Sequence, residues 1–169
     1  MPCGHQSNGP PGRLDESARR LPHDEFAVAR QLASEGHHVR ALAARRGQGR
    51  TADLLVCTEP VEVKSWLSQA ERGGTVPSAK SVVNKLLQAE GQAGLVVLNG
   101  RGSGLTPAAA RAGLATYAGL PHRARIAAVR VLGDGFDLGW RCGPGVLRQR
   151  GPERHLVPAT APPDLSVGR

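Results

Sequence analysis

Three charged residues in one short stretch have types and spacing suited to chemistry on phosphates. The stretch is Thr51–Trp66, TADLLVCTEPVEVKSW, and it contains Asp53, Glu62 and Lys64 among apolar residues. Unpaired buried charges cost several kcal/mol, so the three side chains must pair or bind a metal ion. Carboxylate oxygens suit a hard divalent cation. The lysine ammonium group can then lie beside a nucleophilic water or a phosphate.

The apolar residues around these charges predict two strands. Leu54–Val56 is β-prone, and Val61–Trp66 alternates apolar and polar residues at the period of a half-buried strand. Thr58–Pro60 interrupts the pattern, because proline cannot donate a hydrogen bond to a strand ladder. We therefore expect an antiparallel hairpin.

The register of this hairpin decides whether the three charges meet. Asp53 shares a face with Glu62 and Lys64, in the absence of a bulge, only if paired residue numbers sum to an odd value. A sum of 117, for example, would place Asp53 opposite Lys64.

Composition favours one basic domain. The chain has 169 residues, 40% of them hydrophobic, which is enough for one core. Its net charge of +8 favours polyanionic partners. Only three of its 22 basic residues are lysines. Because lysine is rare in this chain, the lysine of Glu-x-Lys is a stronger functional candidate than an ordinary surface lysine. No apolar run approaches the ~20 residues of a spanning helix, and the N-terminus is not signal-like, so we expect a cytoplasmic site of action.

Periodicity and turn signals predict the element order α-β-β-β-α-β-α-β-β, an α/β domain with a mixed sheet flanked by helices and a C-terminal β-hairpin. We expect a disordered or loosely attached basic arm over 1–21, the folded domain over 22–142, and a Pro/Gly-rich tail over 143–169.

Several basic residues near the hairpin are candidates for substrate binding. They are Arg45, Arg46 and Arg50 in the loop before the first hairpin strand, and Lys80 and Lys85 on the helix that follows the hairpin. Their charges suit phosphate oxygens. Ordinary solvated surface charge explains them equally well. The glycine-containing loop Leu67–Pro77 is placed to contact substrate as a flap.

The spacing of Asp53 and Glu62-Val63-Lys64 resembles the D…ExK motif of PD-(D/E)xK, restriction-endonuclease-like nucleases. With Glu25 in the first turn of a helix and Gln92 after another, the chain is similar to the C-terminal tRNase domain of CdiA-type contact-dependent growth inhibition toxins. The similarity extends from Glu25 to about Trp140. One departure is Thr-Ala-Asp where many members have Pro-Asp.

This resemblance implies an αβββαβ core and a metal-dependent endoribonuclease that cleaves tRNA. Asp53 and Glu62 would hold Mg²⁺, or Mn²⁺ or another divalent cation, and Glu25 would complete the catalytic cluster. Lys64 would stabilise the transition state, and Gln92 would orient the site or its substrate. A cognate immunity protein and delivery into a target cell are also implied.

Two alternatives remain open. The first is a DNA endonuclease of the restriction, repair or mobile-element type. The second is a non-catalytic nucleic-acid-binding protein in which Glu62 and Lys64 merely form a salt bridge. The chain has only five aromatic residues, which argues against base stacking as its main mode of recognition.

Overall fold

A seven-stranded sheet with three helices forms the described part of the chain. The computed structural model describes residues 12–43, 51–121 and 126–141. The elements are β1 (Leu14–Asp15), α1 (His23–Ser34), β2 (Val39–Ala41), β3 (Leu54–Val56), β4 (Glu59–Ser65), α2 (Ala79–Ala89), β5 (Leu95–Asn99), α3 (Pro107–Ala118), β6 (Ala128–Gly133) and β7 (Phe136–Arg141).

The strands lie in the sheet in chain order, and their directions are mixed. Strands β2, β3 and β4 are antiparallel to one another, whereas β4, β5 and β6 are parallel, with α2 and α3 as their connections. Strands β6 and β7 form an antiparallel hairpin. This arrangement confirms the predicted α/β class with a mixed sheet. The stretch from α1 to β5 has the predicted αβββαβ order.

Helices cover both faces of the sheet. Helix α1 packs with one apolar cluster that includes Val61, Val63 and Val97, and helices α2 and α3 pack with another that includes Val96 and Leu98. Strand alternation explains the division, because successive side chains point to opposite faces. Glu62 and Lys64 pair with Val96 and Leu98 in the register, so they lie on the α2 and α3 side.

Local sequence signals set the helix and turn boundaries. The Ser78 side chain accepts a hydrogen bond from the Ser81 N–H at the start of α2, and Thr106 does the same for Ala109 at the start of α3. Gly135 has a φ of 78° in the turn between β6 and β7, a conformation that favours glycine. These caps and turns were predicted.

Residues 12–21 differ from the loose arm that the sequence suggested. Strand β1 pairs in parallel with β2, and Leu21 is buried. Gly12 lies so near the segment that follows α1 that a Cβ atom there would be 1.9 Å from the carbonyl oxygen of His37. A two-residue strand is too short to show periodicity, so pattern did not reveal it. Residues 1–11 and 142–169, including the predicted tail, lie outside the described residues.

None of the helices in the described part of the chain is long and apolar enough to cross a membrane.

Candidate active site

The register of the β3–β4 hairpin brings the predicted charges together. Leu54 pairs with Val61 and Val56 with Glu59, so paired numbers sum to 115. The sum is odd, as a shared face requires, although it differs from the example of 117. Asp53 lies one residue before β3, where continuation of the register sets it opposite Glu62.

Asp53 is fixed by main-chain contacts on both sides. Its Oδ2 accepts a hydrogen bond from the Val63 N–H at 2.9 Å, and its carbonyl oxygen accepts one from Leu42 at 2.9 Å. The carboxylate therefore takes the place of a main-chain acceptor where the β3–β4 ladder ends. The first contact fixes the carboxylate, and the second fixes the main chain of Asp53.

Glu62 is the most buried acidic residue of the site. It is 1% exposed, and its Oε1 accepts a hydrogen bond from the Lys64 ammonium group. Its Oε2 is buried and has no hydrogen-bond partner. A buried polar atom without a partner costs about 1–3 kcal/mol, and more when it is charged. The structure therefore keeps an oxygen ligand in a costly position between β4 and α2.

Burial changes the protonation of Glu62. It raises the pKa of the carboxyl from an ordinary 4.5 to about 7, the negative charge of Asp53 adds to the increase, and Lys64 opposes it. This carboxyl therefore keeps its proton to a higher pH than an ordinary glutamate. Such a carboxyl can bind a cation when it is ionised, or it can exchange a proton. Perturbed pKa values of this kind concentrate at functional sites.

Arg19 joins Glu25 to the cluster. Its Nη2 donates to Glu25 Oε2 at 2.6 Å and lies 3.5 Å from Asp53 Oδ1, while its Nε donates to the Leu42 carbonyl at 2.8 Å. Burial raises the pKa of Glu25, with a further increase from Asp53 and a decrease from Arg19. Nothing in the local sequence pattern distinguishes Arg19 from the other arginines, so its place in the site was not predicted.

The acidic residues fit a divalent cation in part. Asp53 and Glu62 supply oxygen ligands of the right type. A bound cation would also satisfy the buried Oε2 of Glu62, which has no hydrogen-bond partner. Within the described residues, no group of three or more His, Cys, Asp and Glu side chains is placed to hold a metal ion. Glu25 as a third ligand stays a prediction, since its Oε2 pairs with Arg19.

The predicted substrate-binding residues have different surroundings. Lys85 is half-buried with its Nζ 5.9 Å from the centroid of the Trp66 ring, whereas Lys80 is exposed in the first turn of α2. The side-chain amide of Gln92 donates to the main-chain carbonyl of Gln88, which lies in the last turn of α2. The other three predicted binding residues lie outside the described residues: Arg45, Arg46 and Arg50.

Comparisons with known proteins assign no family to the chain. No family model matches the chain, and a search of curated proteins finds no match. A solved structure described as a CdiA-CT/CdiI toxin and immunity complex from Burkholderia pseudomallei is similar over 76% of this chain and 98% of the other, with 19% identity and a TM-score of 0.49. At this level the similarity assigns no function, and the functional case depends on the residues of the site.

Proposed function

We propose that the chain is a divalent-metal-dependent nuclease that hydrolyses phosphodiester bonds in RNA, with folded tRNA as its preferred substrate. The observation that carries the proposal is the buried, unpartnered Oε2 of Glu62 beside Asp53 and Lys64. A chain with net charge +8 is suited to a polyanionic substrate. The choice of tRNA follows from the resemblance of the motif to toxin tRNase domains.

Each residue of the site has a distinct role in this proposal. Asp53 and Glu62 would hold Mg²⁺, which when bound makes a water molecule more acidic and offsets charge on the phosphate. The Lys64 ammonium group would stabilise negative charge that develops on the phosphate oxygens. Arg19 would position Asp53 and Glu25 through its contacts with both carboxylates.

The same resemblance supports a biological setting. We propose that the chain acts in the cytoplasm of a target cell after delivery as part of a toxin system. A cognate immunity protein would block it there. Co-expression with candidate neighbouring genes, scored by growth, tests this part of the proposal separately from catalysis.

Cleavage rather than binding tests the activity. A protein this basic will bind DNA and RNA alike at low salt, since counterion release is indifferent to sequence. We expect purified protein to cut total tRNA at one or a few loop positions with Mg²⁺, to lose that activity with EDTA, and to leave plasmid DNA intact at physiological salt. Nicked plasmid with intact tRNA would instead identify a DNA endonuclease.

A second candidate is a non-catalytic nucleic-acid-binding protein. The observation in its favour is that the acidic residues already have cationic partners, Lys64 for Glu62 and Arg19 for Glu25. Such a protein would bind RNA without cleaving it under any divalent cation. Substitution of Glu62 would then lower its melting temperature without changing any activity.

A further inference from the structure

A row of side chains on β4 continues past the proposed catalytic residues. Glu62 and Lys64 share one face of the strand, and Trp66 follows at the same two-residue spacing just after the strand ends. Two strand residues span about 6.6 Å. A cation beside Trp66 therefore lies farther along this row than Lys64, on the side away from Glu62.

Lys85 supplies a cation at that position. Its Nζ lies 5.9 Å from the centroid of the Trp66 ring, which is a cation–π distance. Trp66 is 8% exposed and belongs to the core, and its main-chain N–H donates to the Asn99 carbonyl at 3.1 Å. The ring is a rigid support, and it holds the half-buried ammonium group in one place instead of leaving it free in solvent.

Arg72 is a second cation, and its positive charge acts on Lys85. It belongs to the loop between β4 and α2, which is joined to the loop after β5 by a hydrogen bond from the Gln69 N–H to the Gly102 carbonyl at 2.7 Å. Its Nη1 is buried and has no hydrogen-bond partner. A guanidinium group has five N–H donors and no acceptor, so a buried donor of this kind needs an oxygen ligand.

Two positive charges act on Lys85. Burial lowers the pKa of Lys85, and the positive charges of Lys64 and Arg72 lower it further. Within the described residues, Lys64 pairs with Glu62, but no carboxylate pairs with Lys85 or Arg72. Like charges held together in a partly buried setting are unfavourable unless an anion joins them.

We propose that Lys85 and Arg72 form a phosphate-binding subsite, supported by Trp66, that holds the phosphodiester next to the one cleaved. The inference rests on the proposed nuclease function for its place in catalysis. A phosphate suits the pair because it accepts hydrogen bonds from both an ammonium point charge and a planar guanidinium. The Trp66 ring lies in the core and cannot stack on a base. The subsite therefore contacts the phosphate backbone of the nucleic acid and does not distinguish one base from another.

Lysine NMR tests the subsite without cleavage. The chain has only three lysines, at positions 64, 80 and 85, so their side-chain signals can be assigned with one Lys→Arg variant each. We expect inorganic phosphate, added to protein in EDTA, to shift the Lys85 signal in a saturable way while that of exposed Lys80 moves little. Equal, non-saturating shifts at both lysines, or no shift at Lys85, would overturn the proposal.

Kinetics then test its role in the reaction. Lys85→Met keeps the apolar contact with Trp66 but removes the charge, and Arg72→Gln removes the second cation. Each should raise KM for tRNA about 10-fold or more with kcat nearly kept, as expected for loss of uniform binding. Arg30→Gln, an exposed charge on α1, is the matched control.

The two proposals fail in different ways. A chain that binds phosphate at Lys85 but cleaves no nucleic acid has the subsite without nuclease activity. A chain that cleaves tRNA with unchanged KM in both variants is a nuclease without this subsite.

Discussion

The carboxylate of Asp53 accepts a hydrogen bond from the main-chain N–H of Val63 at 2.9 Å, at the point where the two hairpin strands stop pairing through their backbones. This contact connects the proposed catalytic chemistry to the fold. It fixes one carboxylate relative to the strand that carries Glu62 and Lys64, so the geometry of the site depends on the hairpin and not on a flexible loop.

Two substitutions of Asp53 separate structure from chemistry. Asp53→Asn keeps an oxygen that can accept from Val63, so we expect a folded protein without cleavage. Asp53→Ala loses that acceptor and should destabilise the fold by a further ~1–2 kcal/mol. Thermal unfolding and a tRNA cleavage assay on both variants give the comparison, and an active Asp53→Asn protein would contradict the assigned role.

Glu62 should make the metal-free protein less stable as pH rises. The pKa of Glu62 is about 7 in the folded chain, against an ordinary 4.5. The raised pKa therefore contributes to the free energy of unfolding in full below about pH 4.5, and this contribution is lost as the pH rises to about 7. Glu62→Gln should remove this dependence and be more stable at pH 8 by on the order of 1–3 kcal/mol. Urea unfolding in EDTA at several pH values measures it, with exposed Glu59→Gln as control.

Lys64 should control the pH at which the site binds metal. Because the ammonium group lowers the pKa of Glu62, its removal in Lys64→Ala should raise that pKa further and move Mn²⁺ binding to higher pH. Cleavage should be abolished as well. Calorimetric titration between pH 6 and pH 8 would show the shift, and pH-independent binding in both proteins would exclude Glu62 as a ligand.

Arg19 should be coupled energetically to Glu25. The pair is partly buried at 2.6 Å, so we expect a double-mutant cycle of Arg19→Gln and Glu25→Gln to give about 1 kcal/mol or more. Arg20→Gln, an exposed neighbour, provides the control for loss of charge. A coupling energy near zero would mean that Arg19 does not position Glu25.

A divalent cation should stabilise the wild-type protein by mass action. Ligand at 100 times its dissociation constant adds about 2.7 kcal/mol to the folded state. We expect Mg²⁺ or Mn²⁺ to raise the melting temperature of wild type and to leave that of Glu62→Gln unchanged. If neither cation affects the wild type, while Glu62→Gln melts at a markedly lower temperature, the non-catalytic binding protein becomes the better interpretation.

The sequence by itself determined the features that depend on neighbours along the chain. The helical period and the Ser78 cap predicted α2, and alternation predicted the β3–β4 hairpin. The predicted break at Thr58–Pro60 was wrong in position, because Pro60 pairs with Leu55 inside β4 and the turn lies before it, at Cys57–Thr58. The two-residue period of strands set the condition that paired numbers sum to an odd value, and the structure meets it with a sum of 115. These are local effects, so a single sequence shows them.

Only the tertiary structure decided which distant side chains meet. Arg19 reaches Asp53 across 34 positions, and Lys85 reaches Trp66 from another element. Strand β1 has two residues and no period, so only its pairing with β2 reveals it. The unpartnered Oε2 of Glu62 depends on the packing of the sheet against α2 and α3. No short pattern encodes such contacts, because the free energy that makes them comes from burial of surfaces far apart in the chain.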